Sequence, residues 1–309
     1  VGGKLVATGN LFLKNGEGAG LLLYLSSIYG TIIMQEVFFD ATRGQSLYSA
    51  HWACKDPRAV VLLIHGQGEH IGRYRAVADF FHQRRVAVWG FDQQGYGRSG
   101  GQRGHADGLK AYLDDLGLFI SRVKREYPSV PLILYGHSMG GNIVLNYALR
   151  AGDTRIKAVV ATGPWIRLAF EPPAIKVWSG RLMRYVLPTL SLPTGLDTRL
   201  LSRDEEVVRR YDEDSLVHDR VSAAAGIALM EGASWLNRYS GAIAYPTLLM
   251  HGGADGITAA AATSAFASRL SGDVLYKEWP GLYHEIHNEP ERGVVLEYLW
   301  TWLENWLGA

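Results

Sequence analysis

One serine in this chain stands where it can be made reactive. The run Leu132-Ile133-Leu134-Tyr135 breaks at Gly136-His137-Ser138-Met139-Gly140-Gly141 and turns into a helical pattern at Ile143, Val144, Tyr147 and Ala148. A seryl hydroxyl is a poor nucleophile at neutral pH until a base removes its proton. In a G-x-S-x-G turn between strand and helix, the glycines let the two backbones pass close to a strained serine. Its Oγ then stands free at the carboxyl end of a sheet. Without that context the same letters would describe a glycine-rich turn with an idle serine.

A base, and an acid to orient it, must come from other loops. Ligands of open sheets bind beyond the carboxyl ends of the strands. The loops that follow apolar runs are His65-Gly66-Gln67-Gly68-Glu69-His70, the stretch from Asp92 to Ser99, His251 to Asp255, and Pro280 to Glu285. They supply Asp255, 117 residues after Ser138, and His284, 29 residues later. In that arrangement Ser138 attacks an acyl carbon and His284 takes its proton, later giving it to the leaving alcohol. Asp255 fixes the imidazole tautomer. His287 is the rival base and Asp273 the rival acid. His284 is favoured because it directly follows a strand, whereas His287 lies nearer the helix start at Pro290. His65, His70, His105, His137 and His251 read as hydrogen-bonding braces. Negative charge on the acyl oxygen needs amide donors, expected at Met139 and at Gln67.

The elements that must hold these loops are legible in outline. Strands are expected at 35–39 and 46–52, then the buried run Ala59–Ile64. A helix near 73–84, a strand at Val86–Phe91, a helix near 108–126 and a strand at Ile156–Thr162 follow. This alternation predicts βαβ units in a mostly parallel sheet with helices on both faces. From Pro164 to Tyr245 it stops. Prolines interrupt an unusually apolar stretch there, and residues 164–245 read as an inserted cap between two parts of one core, 34–163 and 246–309. The sheet resumes at Thr247–Met250, followed by a helix at 259–270, a strand at Val274–Trp279 and a last helix with Val295, Leu299, Trp302 and Trp306 on one face. Residues 1–33 read as a leader or appended extension rather than a membrane anchor, because polar residues dilute their uncharged run.

Composition excludes several classes. Lys and Arg number 31 against 30 acids, so no charge excess points to nucleic acid. The one cysteine, Cys54, forms no internal disulfide and fits a reducing compartment such as the cytoplasm, with a role in packing. The sequence contains no Cys/His cluster with zinc spacing.

Four motifs together, His65 to Tyr74, Asp92 to His105, Gly136 to Gly141 and Tyr283 to Glu289, resemble the monoacylglycerol lipase and lysophospholipase group of the α/β-hydrolases. That group overlaps the serine-aminopeptidase-like branch. The resemblance runs from about residue 34 to 307. It implies an α/β-hydrolase fold of about eight strands, a cap over a deep acyl tunnel and no metal or organic cofactor. It also implies hydrolysis of a monoacylglycerol or lysophospholipid through an acyl-enzyme. The acid loop lacks the proline usual a few residues after Asp255. Glu69 and Arg73 are candidates to orient the alcohol side, with a local ion pair supporting the oxyanion loop as the favoured role. Phe170, Trp178, Leu182 and Tyr185 are expected along the tunnel, and the apolar cap offers a membrane contact. Two rivals stand beside this reading. An aminopeptidase or amidase would use Glu171, Asp204, Glu205, Glu206 or Glu231 to hold an amine, and a binding protein would keep the scaffold without the reaction.

Overall fold

A computed structural model describes residues 34–41 and 43–308 of the 309-residue chain; the extension expected at 1–33 lies outside them. The main sheet comprises β1 (Met34–Asp40), β2 (Ser46–Trp52), β3 (Ala59–Ile64), β4 (Val86–Phe91), β5 (Leu132–His137), β6 (Ile156–Thr162), β7 (Thr247–Gly252) and β8 (Val274–Trp279). In space they run β1-β2-β4-β3-β5-β6-β7-β8. β1 and β2 pair antiparallel and β2 meets β4 antiparallel, while all pairs from β4 to β8 are parallel. This is the α/β-hydrolase architecture, as the motif order implied.

β3 is apolar at every position because both of its faces are covered. Val60, Leu62 and Ile64 point to one core, with α2 (Leu109–Glu126) and α3 (Met139–Ala151). Ala59, Val61 and Leu63 point to the other, with α1 (Arg75–His82) and α8 (Arg292–Leu307). Each fully buried Val, Leu or Ile contributes about 1.5–3 kcal/mol relative to exposure. The helix expected at 73–84 begins instead as a 3-10 turn, Ile71–Tyr74, capped by His70, and only then becomes α1. Cys54 packs half-buried against the first core.

Between β6 and β7 lie α4 (Ala174–Val186), α5 (Glu205–Glu213) and α6 (Ala223–Arg238), with a small hairpin, Ser191–Pro193 against Arg220–Ser222. These three helices differ in burial. No residue of α4 is buried. In α6, Ala225, Leu229 and Leu236 belong to the same core as Ile143 and Val144 of α3. Gly232 brings it close to Asn142 and Asn146. α6 is therefore a wall of the core as well as the back of the cap. α7 (Ala260–Arg269) and α8 complete the layers. Leu229→Ala should cost about 2–5 kcal/mol, and Leu182→Ala on α4 no more than about 0.5 kcal/mol. Denaturant unfolding of both variants checks the contrast, and equal costs would remove α6 from the core.

Candidate active site

The turn after β5 forces Ser138 into a backbone that L-residues rarely adopt, φ 53° and ψ −114°. Close packing on both sides holds it there. A methyl added at Gly136 would meet the Gly140 carbonyl oxygen at 2.3 Å, and one at Gly140 would meet the Ile64 carbonyl oxygen at 2.0 Å. Glycine alone lets α3 start this close to β3 and β5. The Ser138 amide donates to Thr162 O at 3.0 Å, and its carbonyl accepts from Asn142 N and Trp165 N, each at 3.0 Å. The side chain is thus aimed by its own backbone.

Asp255 and His284 meet beside it. His284 Nδ1 donates to Asp255 Oδ2 at 2.7 Å, which leaves Nε2 as the basic nitrogen. The Asp255 side chain is wholly buried. Its Oδ1 accepts from the amides of Ile257 (2.8 Å) and Thr258 (3.0 Å). Its Oδ2 accepts from Thr258 Oγ1 (2.9 Å) and lies 3.0 Å from His251 Nε2. Burial pushes this carboxyl up, but the two imidazoles outweigh it and hold Asp255 well below the usual carboxylate range. Burial pushes His284 down, and the Asp255 charge and hydrogen bond, with Glu285 and Glu69 behind them, raise it above its ordinary 6.5. The rivals lie elsewhere. Asp273 is exposed before β8, at the opposite end of the strands, and His287 is buried against the Tyr74 ring with neither nitrogen hydrogen-bonded.

The loop after β3 lies against the serine: a methyl on Gly66 would sit 3.2 Å from Ser138 Cβ. Gln67 turns its side chain away, accepting from Tyr96 Oη at 2.7 Å and donating to Arg220 O at 2.9 Å. Tyr96 Oη also contacts Met139 Sδ at 3.7 Å, so one phenol braces the side chains of both expected amide donors. Nothing in the sequence singled out Tyr96, which sits 29 residues from Gln67 and 43 from Met139. His65 is held neutral by burial, down to about 3, and its Nε2 accepts from Gln93 N at 2.9 Å. His70, His105, His137 and His251 likewise brace loops, to Asp214, Ser222, Thr162 and Thr263. For His251 there is a second role, the contact with Asp255 already described.

A family model described as serine aminopeptidase, S33, matches residues 55–291. The chain belongs to that family. A monoacylglycerol lipase of Mycolicibacterium smegmatis is 35% identical over 250 residues, covering 80% of this chain and 89% of that one. An uncharacterized abhydrolase domain-containing protein of Dictyostelium discoideum is 34% identical over 250 residues, of which this chain spans only 26% of the length. The crystal structure of a monoacylglycerol lipase of Paleococcus ferrophilus matches with a TM-score of 0.74 and 31% identity, over 88% of this chain and 100% of that one. The chain falls in the monoacylglycerol lipase group of the α/β-hydrolases and is a serine ester hydrolase.

Ser138 opens on a cavity of about 300 Å³. Ser138, His284, Gln67, Glu69 and Glu285 line one end. Leu168, Phe170, Val177, Met183, Ile227 and Met230 line the rest. Phe170 is on this lining, and it is also 53% exposed and borders the neighbouring groove. Trp178, Leu182 and Tyr185 are not on it: they are 63%, 47% and 74% exposed on the outer side of α4, and Trp178 borders that groove with Arg167 and Arg181. Ile175, Trp178, Leu182 and Val186 form an apolar stripe opposite Lys176, Arg181 and Arg184, so periodicity alone turns that stripe inward and misplaces the inner face. Gly180 chooses it, approaching Ile227 of α6 so that Val177 and Met183 turn inward. Arg73 also leaves the substrate list. It is buried in a bidentate pair with Glu285 (2.6 and 2.8 Å) and a further bond to Glu69 (2.6 Å), away from the cavity lining. Gly140→Ala should destabilise the fold by about 1–3 kcal/mol, as overpacking does, and slow labelling by a fluorophosphonate probe. Thermal unfolding and labelling rate check both effects, and an unchanged variant would show that α3 tolerates a shift from β3.

Proposed function

We propose that the chain hydrolyses monoacylglycerols through an acyl-enzyme on Ser138, with His284 as general base and acid and Asp255 as its orienting partner. The observation that carries this is the 2.7 Å contact of Asp255 with His284, which lines the same mostly apolar cavity as Ser138. His284 Nε2 takes the Ser138 proton as Oγ attacks the ester carbon. The amides of Met139 and Gln67 receive the oxyanion, each such donor lowering the barrier by about 3 kcal/mol. The same imidazole then protonates the leaving glycerol oxygen, and a water repeats the sequence to release the fatty acid.

The cavity's polarity supports this substrate. Its lining is mostly apolar, which suits an acyl chain, and Glu69, Glu285 and Tyr211 form part of its polar remainder. A lysophospholipid would bring its phosphate against those two carboxylates, which disfavours it relative to a neutral glycerol. The aminopeptidase reading needs an acid free to hold an ammonium. Glu69 already accepts from Gly66 N, Tyr74 Oη and Arg73, Asp204 caps α5, and Glu206 and Glu231 pair with Arg209 and Arg184. Glu171 and Glu205 are exposed.

The cap's outer face supports a transient contact with a lipid surface, from which such a substrate would be drawn. Ile175, Trp178, Leu182, Tyr185 and Val186 are exposed on α4. The charged residues of this helix are all basic, Lys176, Arg181 and Arg184, as in helices that lie in a membrane interface. Among the described residues no helix is long and apolar enough to cross a membrane.

Ser138→Ala should lower turnover of 1-monooleoylglycerol by at least about 10⁴-fold without loss of fold. Oleoyl-lysophosphatidylcholine and amino-acid anilides should react at least tenfold more slowly with the wild type. Because the base works only when neutral, kcat/KM should fall as pH drops through a His284 pKa above 6.5. Asp255→Asn should move that limb to lower pH while cutting kcat. A Ser138→Ala variant with normal turnover, or a limb well below 6.5 in the wild type, would contradict the mechanism. Replacing Trp178, Leu182 and Tyr185 with serine should weaken partition onto anionic vesicles several-fold and spare hydrolysis of p-nitrophenyl acetate. Unchanged partition would remove the membrane contact.

A further inference from the structure

Glu289 is a wholly buried carboxylate that the reaction itself does not use. It lies five residues beyond His284 and holds the segment that carries that histidine. Its Oε1 accepts from the Tyr283 amide at 2.6 Å, so it grips the chain one residue before the base. Its Oε2 accepts from both the Nε (3.0 Å) and the amide (3.3 Å) of Arg203. Arg203 stands in the cap, between the 3-10 turn Thr198–Leu200 and α5, and its Nη2 also pairs with Glu291.

The neighbouring contacts repeat this geometry. His284 N donates to Leu200 O (3.4 Å), Glu285 N to Leu201 O (2.8 Å) and Ser202 Oγ to Asn288 O (3.1 Å). Residues 200–203 of the cap thus run beside 283–289 of the core and are bonded to it repeatedly. A loop between a strand and a helix would otherwise be free to drift, and a misplacement of about 1 Å can cost roughly a hundredfold in rate.

We propose that Arg203, although it belongs to the cap, is a positioning residue for the reaction: through Glu289 it fixes the His284 segment in register with Ser138. Arg203 touches neither substrate nor reacting atoms. Its guanidinium holds the carboxylate whose other oxygen fixes the Tyr283 amide, and that amide sets the path of the chain into His284. The cap then does more than enclose the acyl chain, because its base forms part of the frame that keeps the imidazole aligned. This rests on His284 being the base.

The test uses the whole chain with Arg203→Ala, Arg203→Lys and Glu289→Gln, beside Ser138→Ala and His284→Ala. The Arg203 side chain is 35% exposed, but its loss leaves the Glu289 carboxylate buried without its cation, so Arg203→Ala should lower the melting temperature and its kcat is read on the folded fraction. Glu289→Gln keeps an oxygen for the Tyr283 amide and removes the charge that Arg203 holds. The expected result for Arg203→Ala is a fall in kcat of the folded fraction of about ten- to a hundredfold on both p-nitrophenyl acetate and 1-monooleoylglycerol, with KM within twofold and a lower melting temperature. Arg203→Lys should recover part of the loss, and Glu289→Gln should resemble Arg203→Ala. A purely structural role would lower the melting temperature in the same way but leave kcat of the folded fraction unchanged, which overturns the proposal. So does unchanged kcat in both Arg203→Ala and Glu289→Gln while His284→Ala is inactive. If His284→Ala stays active, the assignment of the base fails, and this inference with it.

Discussion

A single buried charge organises this site. The Asp255 carboxylate is wholly enclosed, and an ion placed there without partners would cost several kcal/mol even after relaxation. The chain surrounds it with two backbone amides, a threonine hydroxyl and two imidazoles. Those partners leave the His284 ring little choice: Nδ1 must carry the proton that faces the acid, and Nε2 is left free to accept one. Everything else needed for the reaction is a matter of bringing a hydroxyl and two amides to that nitrogen. The sheet does so by ending β3, β5, β7 and β8 at one edge.

A second buried group, formed by Glu69, Arg73 and Glu285, ties the loop after β3 to the loop after β8. Arg73 is shared between two carboxylates, so the three carry a net negative charge when all are ionised. Burial pushes both acids up. For Glu285 the bidentate guanidinium overcomes that and keeps it well below the carboxylate range. For Glu69 burial prevails over the pull of Arg73, the Glu285 charge adds to it, and its pKa is raised. Removing Arg73 alone would leave two buried charges facing each other, the arrangement that costs most in a broken buried pair. That asymmetry explains why Arg73 is a structural tie and not a ligand for substrate. Its guanidinium is already filled on one side by carboxylates and covered on the other by the Tyr211 ring, 4.6 Å away.

Much of this was legible in the sequence because it is written in local periods. Fully buried strands such as β3 appear as unbroken apolar runs, and the helices between them repeat at three and four, so the sheet and the loops at its carboxyl edge followed directly. Ser138, Asp255 and His284 could be named because each sits in such a loop. Residues whose role depends on distant neighbours were not legible. His251 was assigned to bracing alone, since nothing local says that its ring turns back on Asp255. Tyr96, which braces Gln67 and Met139, gave no signal at all. On α4 the apolar residues were visible but their direction was not. Gly180 decides it through a close approach to a helix more than forty residues away, so Trp178, Leu182 and Tyr185 were expected inside and lie outside.

The cap, finally, is attached in two unlike ways. Its base is bonded to the core by polar contacts on every catalytic loop. Arg167 and Ala169 pair with the strip after Asp255, Leu200 to Arg203 with the His284 segment, and His218 and Arg220 with Gly68 and Gln67. Each net hydrogen bond contributes about 0.5–1.5 kcal/mol, and moving the base would break many together while disturbing the reacting groups. α4 has no fully buried residue; it packs along α6, where Gly180 lies against Ile227 and Arg184 pairs with Glu231. Displacing it exposes some apolar lining but leaves the frame of Ser138, Asp255 and His284 untouched. Segments with few buried apolar contacts open at the lowest free energy, so the cheapest way to admit a long acyl chain runs past α4. The division is physically sensible: the part of the cap bonded to the His284 segment is costly to move, and the part without a buried residue is the one whose displacement costs least.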